Sequence, residues 1–461
     1  MRRREEIKIV VIGLGTGGLY ASRYASQYNR RAQITIIEKR SYDMFSPCGI
    51  PYAIEGKVKS FEDLKHSVPS TRSLKKLNSH EATKIDPENK RVLVKNLDTG
   101  EDFWGDYDSL IIATGSRPRI LNIPKAHELH GKGLHVVSTP EEGKALREEA
   151  LESETAVVVG GGAIGLEIAL ALKHLGLDVH VTKRSPPPLP KSLDQDMSDI
   201  VLDYLNEEGL KIYFGKGIDS VNGDDRVESV TIAGEKIPCD IVVMAVGIDP
   251  CTMIAEEAGI ETDRGYIITD DHMKTNYPDI YAIGDCALSF SRIDKSPINV
   301  ALATTAYKQA RVAGINAAGG DEIYDGSIGT FVSYMGNLEV SCTGYNTPIA
   351  QDHGFDVVSG RVNMTIKPEW MPDAKQISIK VLADSETGKL IGSQAIGETG
   401  TDWRMNIIAM AIKEGTTIDE LQKIELAYCP AVSELYDPLM VAVDACRRRM
   451  EAYRRRKRRK R

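Results

Sequence analysis

Two stretches of the chain repeat one order of apolar and glycine positions. Ile7–Ile12 is mostly β-branched and predicts a strand buried on both faces. It runs into Gly13-Leu14-Gly15-Thr16-Gly17-Gly18, then into a helical run from Leu19 to Tyr28. Ile34–Ile37 predicts a second strand, which ends at Glu38. The order returns with a strand at Thr155–Val159, then Gly160-Gly161-Gly162-Ala163-Ile164-Gly165, a helical run Leu166–Leu175 and a strand Val179–Val181. Ile111-Ile112-Ala113-Thr114-Gly115 and Ile280–Asp285 read as further strands ending in turns. From Gly326 onward strand-like runs (Ile377–Leu382, Leu390–Ile396) precede a helical one (Met405–Lys413) without another glycine fingerprint, which predicts an α+β region.

Strand, glycine loop, helix, strand and terminal acid, in that order, predict a dinucleotide-binding unit. Gly13, Gly15, Gly17 and Gly18 permit a tight turn and let the backbone approach a pyrophosphate seated on the helix N-terminus. Glu38 follows at the expected distance of about 20 residues and can accept hydrogen bonds from an adenosine ribose. Gly160, Gly162, Ala163, Ile164 and Gly165 form the second loop. Two such units imply two dinucleotides, FAD and NAD(P). Aligned strand with strand, Lys183 falls opposite Glu38, and Arg184 follows it. An acid there would repel a 2′-phosphate, whereas these cations attract one, so NADPH is the expected donor, with NADH as the alternative.

The length of 461 residues suggests about three domains at roughly 150 residues each. Net charge is −8, but Arg447–Arg461 holds eleven Lys or Arg and one acid, a local +10 that leaves the body at −18. That acidic body disfavours nucleic acid, and the sparse aromatics offer no stacking platform. The tail itself is either a solvated, disordered extension or a site for anionic partners. Seven cysteines without CxxC or zinc spacing suggest neither a disulfide framework nor a metal site, and they fit a reducing cytoplasm. No signal peptide and no membrane-spanning run is visible.

Thr275 stands seven residues before Ala282, in a segment that ends at Asp285. This spacing resembles the second FAD signature of two-dinucleotide flavoproteins. The resemblance gives Asp285 the ribityl chain and makes Ala245-Val246-Gly247 the close of the nicotinamide domain. It also implies FAD contacts at Lys39, Ala82, Ala113, Thr114, Gly115 and Ala303, and a cofactor contact at Gly247.

Met44-Phe45-Ser46-Pro47-Cys48-Gly49-Ile50-Pro51-Tyr52 narrows the chemistry. Glutathione-reductase-type enzymes carry a CxxxxC pair near here and a His-Pro…Glu motif near the C-terminus; this chain has one cysteine and no such motif. A single cysteine followed by Gly-x-Pro-Tyr resembles the single-cysteine branch of the FAD-dependent pyridine nucleotide-disulfide oxidoreductases. That branch holds coenzyme A disulfide reductases, NAD(P)H oxidases, NADH peroxidases and persulfide reductases. A Pro-Cys-Gly turn that opens a helix would favour the thiolate. Leu426–Pro430 and Tyr436-Asp437-Pro438-Leu439 resemble the C-terminal motifs of coenzyme A disulfide reductases.

The resemblance implies an α/β fold: an FAD domain split into 1–118 and 249–325, an NAD(P) domain at 119–248, and a C-terminal α+β dimerisation domain at 326–446, followed by the tail at 447–461. It makes Cys48 the redox thiol and Tyr428 a proton or hydrogen-bond donor to a thiolate across a homodimer. Tyr20, Tyr24, Lys76 and Tyr436 would contact the substrate. Thr16 stands where peroxidases and several oxidases of the branch carry a His, which favours a disulfide or persulfide acceptor, coenzyme A disulfide first. Oxygen as acceptor, or a redox-responsive flavin-binding protein docking through its tail, are the alternatives. Three departures stand out. Trp370-Met371-Pro372 replaces a Tyr-Tyr-Pro stretch, Cys429 replaces an Ala and is either a resolving thiol or a buried bystander, and no rhodanese domain follows Pro438.

Overall fold

The structure is a computed structural model that describes residues 5–460; the first four residues and Arg461 lie outside the described residues. The chain divides into two compact units.

The first unit comprises residues 1–119, 138–144 and 247–327. Its centre is a parallel sheet in the order Ile280–Ala282, Ser109–Ile112, Lys8–Ile12, Gln33–Ile37, Leu74–Leu77. The Val/Ile runs are continuous because both faces are covered. Helices Thr16–Tyr28 and Ala303–Ala317 pack together on one face through Ala21, Ala25, Ala310 and Ala313. Only small residues permit this approach, since a Cβ on Gly314 would collide with the Ala21 backbone. An antiparallel sheet of His80–Asp86, Arg91–Asn96 and Asp102–Asp106 contributes Val92 and Val94 to the core with Leu110 and Ile112.

The second unit comprises residues 120–137, 145–246 and 328–461. One part is a parallel sheet ordered Leu134–His135, Ile241–Met244, Thr155–Val159, Asp178–Lys183, Lys211–Phe214. Both parallel sheets therefore place the strand that feeds the glycine loop at their centre, next to the point where strand order reverses, which is where α/β sheets bind ligands. The other part is an antiparallel sheet ordered Phe331–Met335, Leu338–Gly344, Leu390–Gly397, Gln376–Asp384, Val357–Thr365. Helices Thr401–Lys413 and Pro438–Lys460 pack on it.

The basic tail is not a disordered extension. It continues the helix Pro438–Lys460 without a break at residue 446. Leu439, Ala442, Val443, Cys446 and Met450 form one buried stripe, and Gly360 lets the helix backbone lie directly on the strand Val357–Thr365. Arg449 donates to the Ser359 carbonyl (2.9 Å) and Arg454 to that of Ser385 (3.2 Å), while the Tyr453 hydroxyl bonds Asp356. These contacts offset the self-repulsion that the charge run predicted. The predicted helices also start earlier than expected: at Thr16 and Ala163 because loop glycines belong to the first helical turns, and at Thr401 because the polar first turn Thr401–Arg404 precedes the apolar run. Among the described residues no helix is long and apolar enough to cross a membrane.

Candidate active site

In the first unit the Gly13 N–H donates to the Ile37 carbonyl (2.8 Å), which closes the turn between two adjacent strands. Gly13 has φ +100°, and a Cβ there would collide with the Ala113 carbonyl; a Cβ on Gly18 would collide with the Gly13 carbonyl. Gly17 lies on Ile283 and Ala113, whereas a Cβ on Gly15 would meet no atom within 4 Å. The loop is thus closed toward the sheet and open at Gly15, the arrangement a pyrophosphate needs.

Glu38 is buried, and its carboxylate accepts from the Leu14 N–H (2.7 Å) and from Nε and Nη2 of Arg40 (both 2.8 Å). Arg40 also donates to the Leu14 carbonyl (3.1 Å). A ribose held at Glu38 would share the carboxylate with this guanidinium. Asp285 lies in the 3-10 turn Gly284–Cys286 and accepts from the Ser116 hydroxyl (2.8 Å). Burial raises its pKa more than that hydrogen bond lowers it. Thr114 Oγ1 donates to the Cys251 carbonyl (2.6 Å), Gly115 has φ +68°, and Ala113 N–H donates to Ile12 (2.9 Å). Lys39 pairs with Glu81 (2.9 Å), beside Ala82 at a register shift of its strand, and Ala303 is the exposed first residue of its helix. An open glycine loop, a buried acid at the second strand's end and a polar-capped Asp285 together fit FAD.

The segment that carries Cys48 is held at its root. Met44–Phe45 pairs with Lys65–His66. Asp43 is buried and accepts from the Val68 N–H (2.7 Å), Lys76 Nζ (2.6 Å) and Asn78 Nδ2 (2.9 Å). Burial works to raise the Asp43 pKa, but these three donors outweigh it and the net shift is downward. The tie therefore contributes stability above the ordinary carboxylate pKa of about 4 and loses it as pH falls through the lowered folded value. Asp43→Asn should flatten the acid limb of a stability-versus-pH curve measured by thermal melts; an unchanged limb would show that Asp43 is not linked to folding.

Cys48 lies in the 3-10 turn Pro47–Gly49, directly ahead of the short helix Ile50–Glu55, and is exposed. Five other cysteines are buried or half-buried: burial pushes Cys239, Cys342 and Cys446 up to about 12, and raises Cys251 and Cys286. Cys429 is the other exposed cysteine, not a buried bystander.

Of the expected substrate residues, Tyr20 and Tyr24 meet Tyr307. Tyr20 packs edge-on against its ring (centroids 4.6 Å), and Tyr24 shares a 2.5 Å hydrogen bond with its hydroxyl, which raises the Tyr24 pKa. Lys76 instead has its ammonium on Asp43, where it positions the chain leading to Cys48.

The second loop repeats the first. Gly160 N–H donates to the Thr182 carbonyl (2.9 Å), φ is +137°, and a Cβ would collide with the Ala245 carbonyl. A Cβ on Gly165 would collide with the Gly160 carbonyl, and Gly162 is open. Ala163 begins the helix and Ile164 is exposed. Lys183 is the geometric counterpart of Glu38, since each follows the residue whose carbonyl receives the first glycine's N–H. Its stem passes over Gly161, and its ammonium donates to the hydroxyl (2.8 Å) and carbonyl of Ser185; Arg184 is exposed. Burial lowers the Lys183 pKa. Gly247 (φ +112°) accepts from Arg119 N–H (3.0 Å) and falls with the first unit rather than with the nicotinamide-type sheet. Gly160→Ala should abolish nucleotide binding in titration calorimetry and lower the melting temperature; full binding would show that the loop tolerates a shift.

Arg40, Asp43, Ser116, Tyr307 and Glu167 escaped sequence reasoning. Glu167 lies beyond the second loop, where burial raises its pKa although Ser333 donates to it (2.5 Å). An acid in an otherwise apolar helix turn was the available signal.

In the C-terminal part Tyr428 and Tyr436 are exposed, as is Trp370. The segment between the tyrosines is braced by Ser433, whose hydroxyl donates to the Ala427 carbonyl (3.2 Å). It ends on Asp437, which is buried against Arg404 in a two-point ion pair (3.0 and 2.6 Å).

Residues 7–313 match the model described as pyridine nucleotide-disulphide oxidoreductase, and residues 331–439 match the dimerisation domain of the same family. A protein named NADH oxidase from Methanocaldococcus jannaschii is 34% identical over 445 residues, covering 95% of this chain and 98% of its own. The NAD(P)H sulfur oxidoreductase (CoA-dependent) of Pyrococcus furiosus is 30% identical, with 95% and 98% covered. The structure of an NAD-dependent persulfide reductase from A. fulgidus superposes with a TM-score of 0.92 at 30% identity, covering 97% of this chain and 84% of that one. With its two glycine-loop sheets and its C-terminal antiparallel sheet, this chain belongs to the pyridine nucleotide-disulphide oxidoreductase family and is an NAD(P)H-dependent flavin oxidoreductase.

Proposed function

We infer that the chain is an NAD(P)H:disulfide reductase working through Cys48, with coenzyme A disulfide, or a coenzyme A persulfide or polysulfide, as acceptor. The observation that carries this is the contrast among the cysteines: Cys48 is exposed on a braced turn, while burial keeps five others as thiols. Relatives named for coenzyme A-dependent sulfur and persulfide reduction support the acceptor class.

Gly13–Gly18, Glu38 and Asp285 would hold FAD, which when bound supplies two-electron exchange between a pyridine nucleotide and sulfur. Cys48 as thiolate attacks one sulfur of the acceptor; a new S–S bond forms, and the other sulfur leaves and takes a proton. Two electrons from the nicotinamide and a second proton then return Cys48 to the thiolate and release the second thiol. Tyr428, exposed in the dimerisation domain, is assigned the proton or hydrogen bond to the leaving thiolate in a homodimer. Tyr20, Tyr24 and Tyr436 are assigned to the acceptor's nonreacting part; Lys76 is reassigned to positioning.

Steady-state rates with coenzyme A disulfide, polysulfide and oxygen under anaerobic control test the reading. Sulfur acceptors should dominate kcat/KM. A second reading, oxygen reduction, is favoured by the relative named NADH oxidase, and oxygen as the best acceptor would establish it.

Lys183 and Arg184 make NADPH the preferred donor in this proposal. Each charge-assisted contact to a 2′-phosphate is worth about 1.5–3 kcal/mol before solvent screening. About 1 kcal/mol net gives roughly a five-fold higher kcat/KM with NADPH. Lys183→Glu with Arg184→Ala should reverse the order; equal efficiency unmoved by that change would remove both residues from the ribose site.

A further inference from the structure

We propose that the outer face of the helix Pro438–Lys460 docks duplex nucleic acid through its phosphate backbone, without sequence preference. The inference is independent of the acceptor at Cys48.

Residues 447–461 carry nine Arg and two Lys, and they lie beyond the match to the dimerisation domain, which ends at residue 439. The structure sorts these cations. Arg449, Arg454 and Lys457 are turned to their own unit, on the Ser359 and Ser385 carbonyls and Glu386, and Arg447 is paired with Glu451. Arg448, Arg455, Arg456 and Arg459 are exposed, with Arg455 no nearer than 3.9 Å to Glu451. At about 100° per residue, positions 448, 455 and 459 fall within roughly 40° of one line, and they extend over about 16 Å. A duplex presents roughly ten phosphate charges over that length.

The chemistry of this face selects its partner. Arginine forks match phosphate oxygens two at a time, which lysines do not. A helix lying in a membrane interface must offer an apolar face to lipid. Here Leu439, Ala442, Val443, Cys446 and Met450 are already buried against the sheet, and Ala452 is the small residue between the outer arginines. A protein partner would need an apolar or aromatic core at the contact, which this face lacks among the described residues. The body, at −18, repels a polyanion elsewhere, so contact is confined to this face and depends steeply on salt. About four phosphate contacts give a slope near −3.6 in the logarithm of the association constant against log salt, roughly a hundred-fold loss of affinity between about 50 and 200 mM.

The test is fluorescence anisotropy of the full-length holoenzyme with labelled duplexes of about 30 base pairs, in two unrelated sequences, over that salt range. The comparison variant replaces Arg448, Arg455, Arg456 and Arg459 with Gln; none packs inward, and circular dichroism and oxidoreductase turnover report that its fold is retained. A second variant carries Lys at all four positions and keeps the charge. Expected are equal binding of both sequences, a loss of at least ten-fold in the Gln variant with a shallower salt slope, and substantial retention in the Lys variant. No binding at low salt, binding unchanged in the Gln variant, or tighter binding to phosphatidylserine vesicles than to the duplex would each overturn the proposal.

Discussion

Replacing Cys48 with Ser should stop turnover of disulfide acceptors, while NADPH should still bleach the flavin absorbance. A serine hydroxyl is protonated at neutral pH and forms no S–S bond, so the exchange step has no nucleophile. The expected fall in kcat is roughly a thousand-fold or more, the scale on which removing a nucleophile acts. No buried cysteine substitutes, because burial holds Cys239, Cys342 and Cys446 as thiols up to about 12. Anaerobic stopped-flow spectroscopy separates the halves of the reaction. Loss of flavin bleaching together with turnover would point to a damaged fold; wild-type turnover of coenzyme A disulfide would remove Cys48 from the chemistry. Cys429, exposed beside Tyr428, provides the control, since its replacement by Ala leaves turnover intact if Cys48 acts alone.

The second large effect is expected at Arg404. Its side chain is almost fully buried, forks onto both oxygens of Asp437, and donates to the Gly400 carbonyl (2.7 Å). Asp437 also accepts from the Leu439 N–H (2.9 Å), so one carboxylate ties the helix Thr401–Lys413 to the start of the helix Pro438–Lys460. Arg404→Leu strands a buried carboxylate and should cost about 3–5 kcal/mol, read as a lower melting temperature and denaturation midpoint. Arg404→Leu combined with Asp437→Leu should recover part of that loss, because no unpaired charge remains buried. Tyr436 precedes Asp437 directly, so KM for the acceptor should rise in the single variant below its melting transition. A single variant as stable as the wild type would show that water reaches this pair.

Both glycine loops were legible in the chain because their chemistry is local. A strand, a tight turn and a helix within one short segment leave few conformations, and Gly13 and Gly160 are required by positive φ and by a carbonyl in the way of any Cβ. The same locality revealed Lys183 as the counterpart of Glu38, and Cys48 in its Pro-Cys-Gly turn. The tail helix was legible in part: Met450 and Tyr453 continue the apolar spacing of Val443 and Cys446, but the charge run outweighed that signal. What the sequence could not contain is which distant groups neutralise one another. Arg40 closing on Glu38 and Leu14, Lys76 and Asn78 closing on Asp43, Ser116 on Asp285 and Arg404 on Asp437 all depend on the packing of separate elements. So does the sorting of the tail's cations into those held by Ser359, Ser385 and Glu386 and those left facing outward. Local geometry is written in short segments, whereas burial and charge pairing arise only when the chain has brought its sheets and helices together, and there the tertiary structure alone decided.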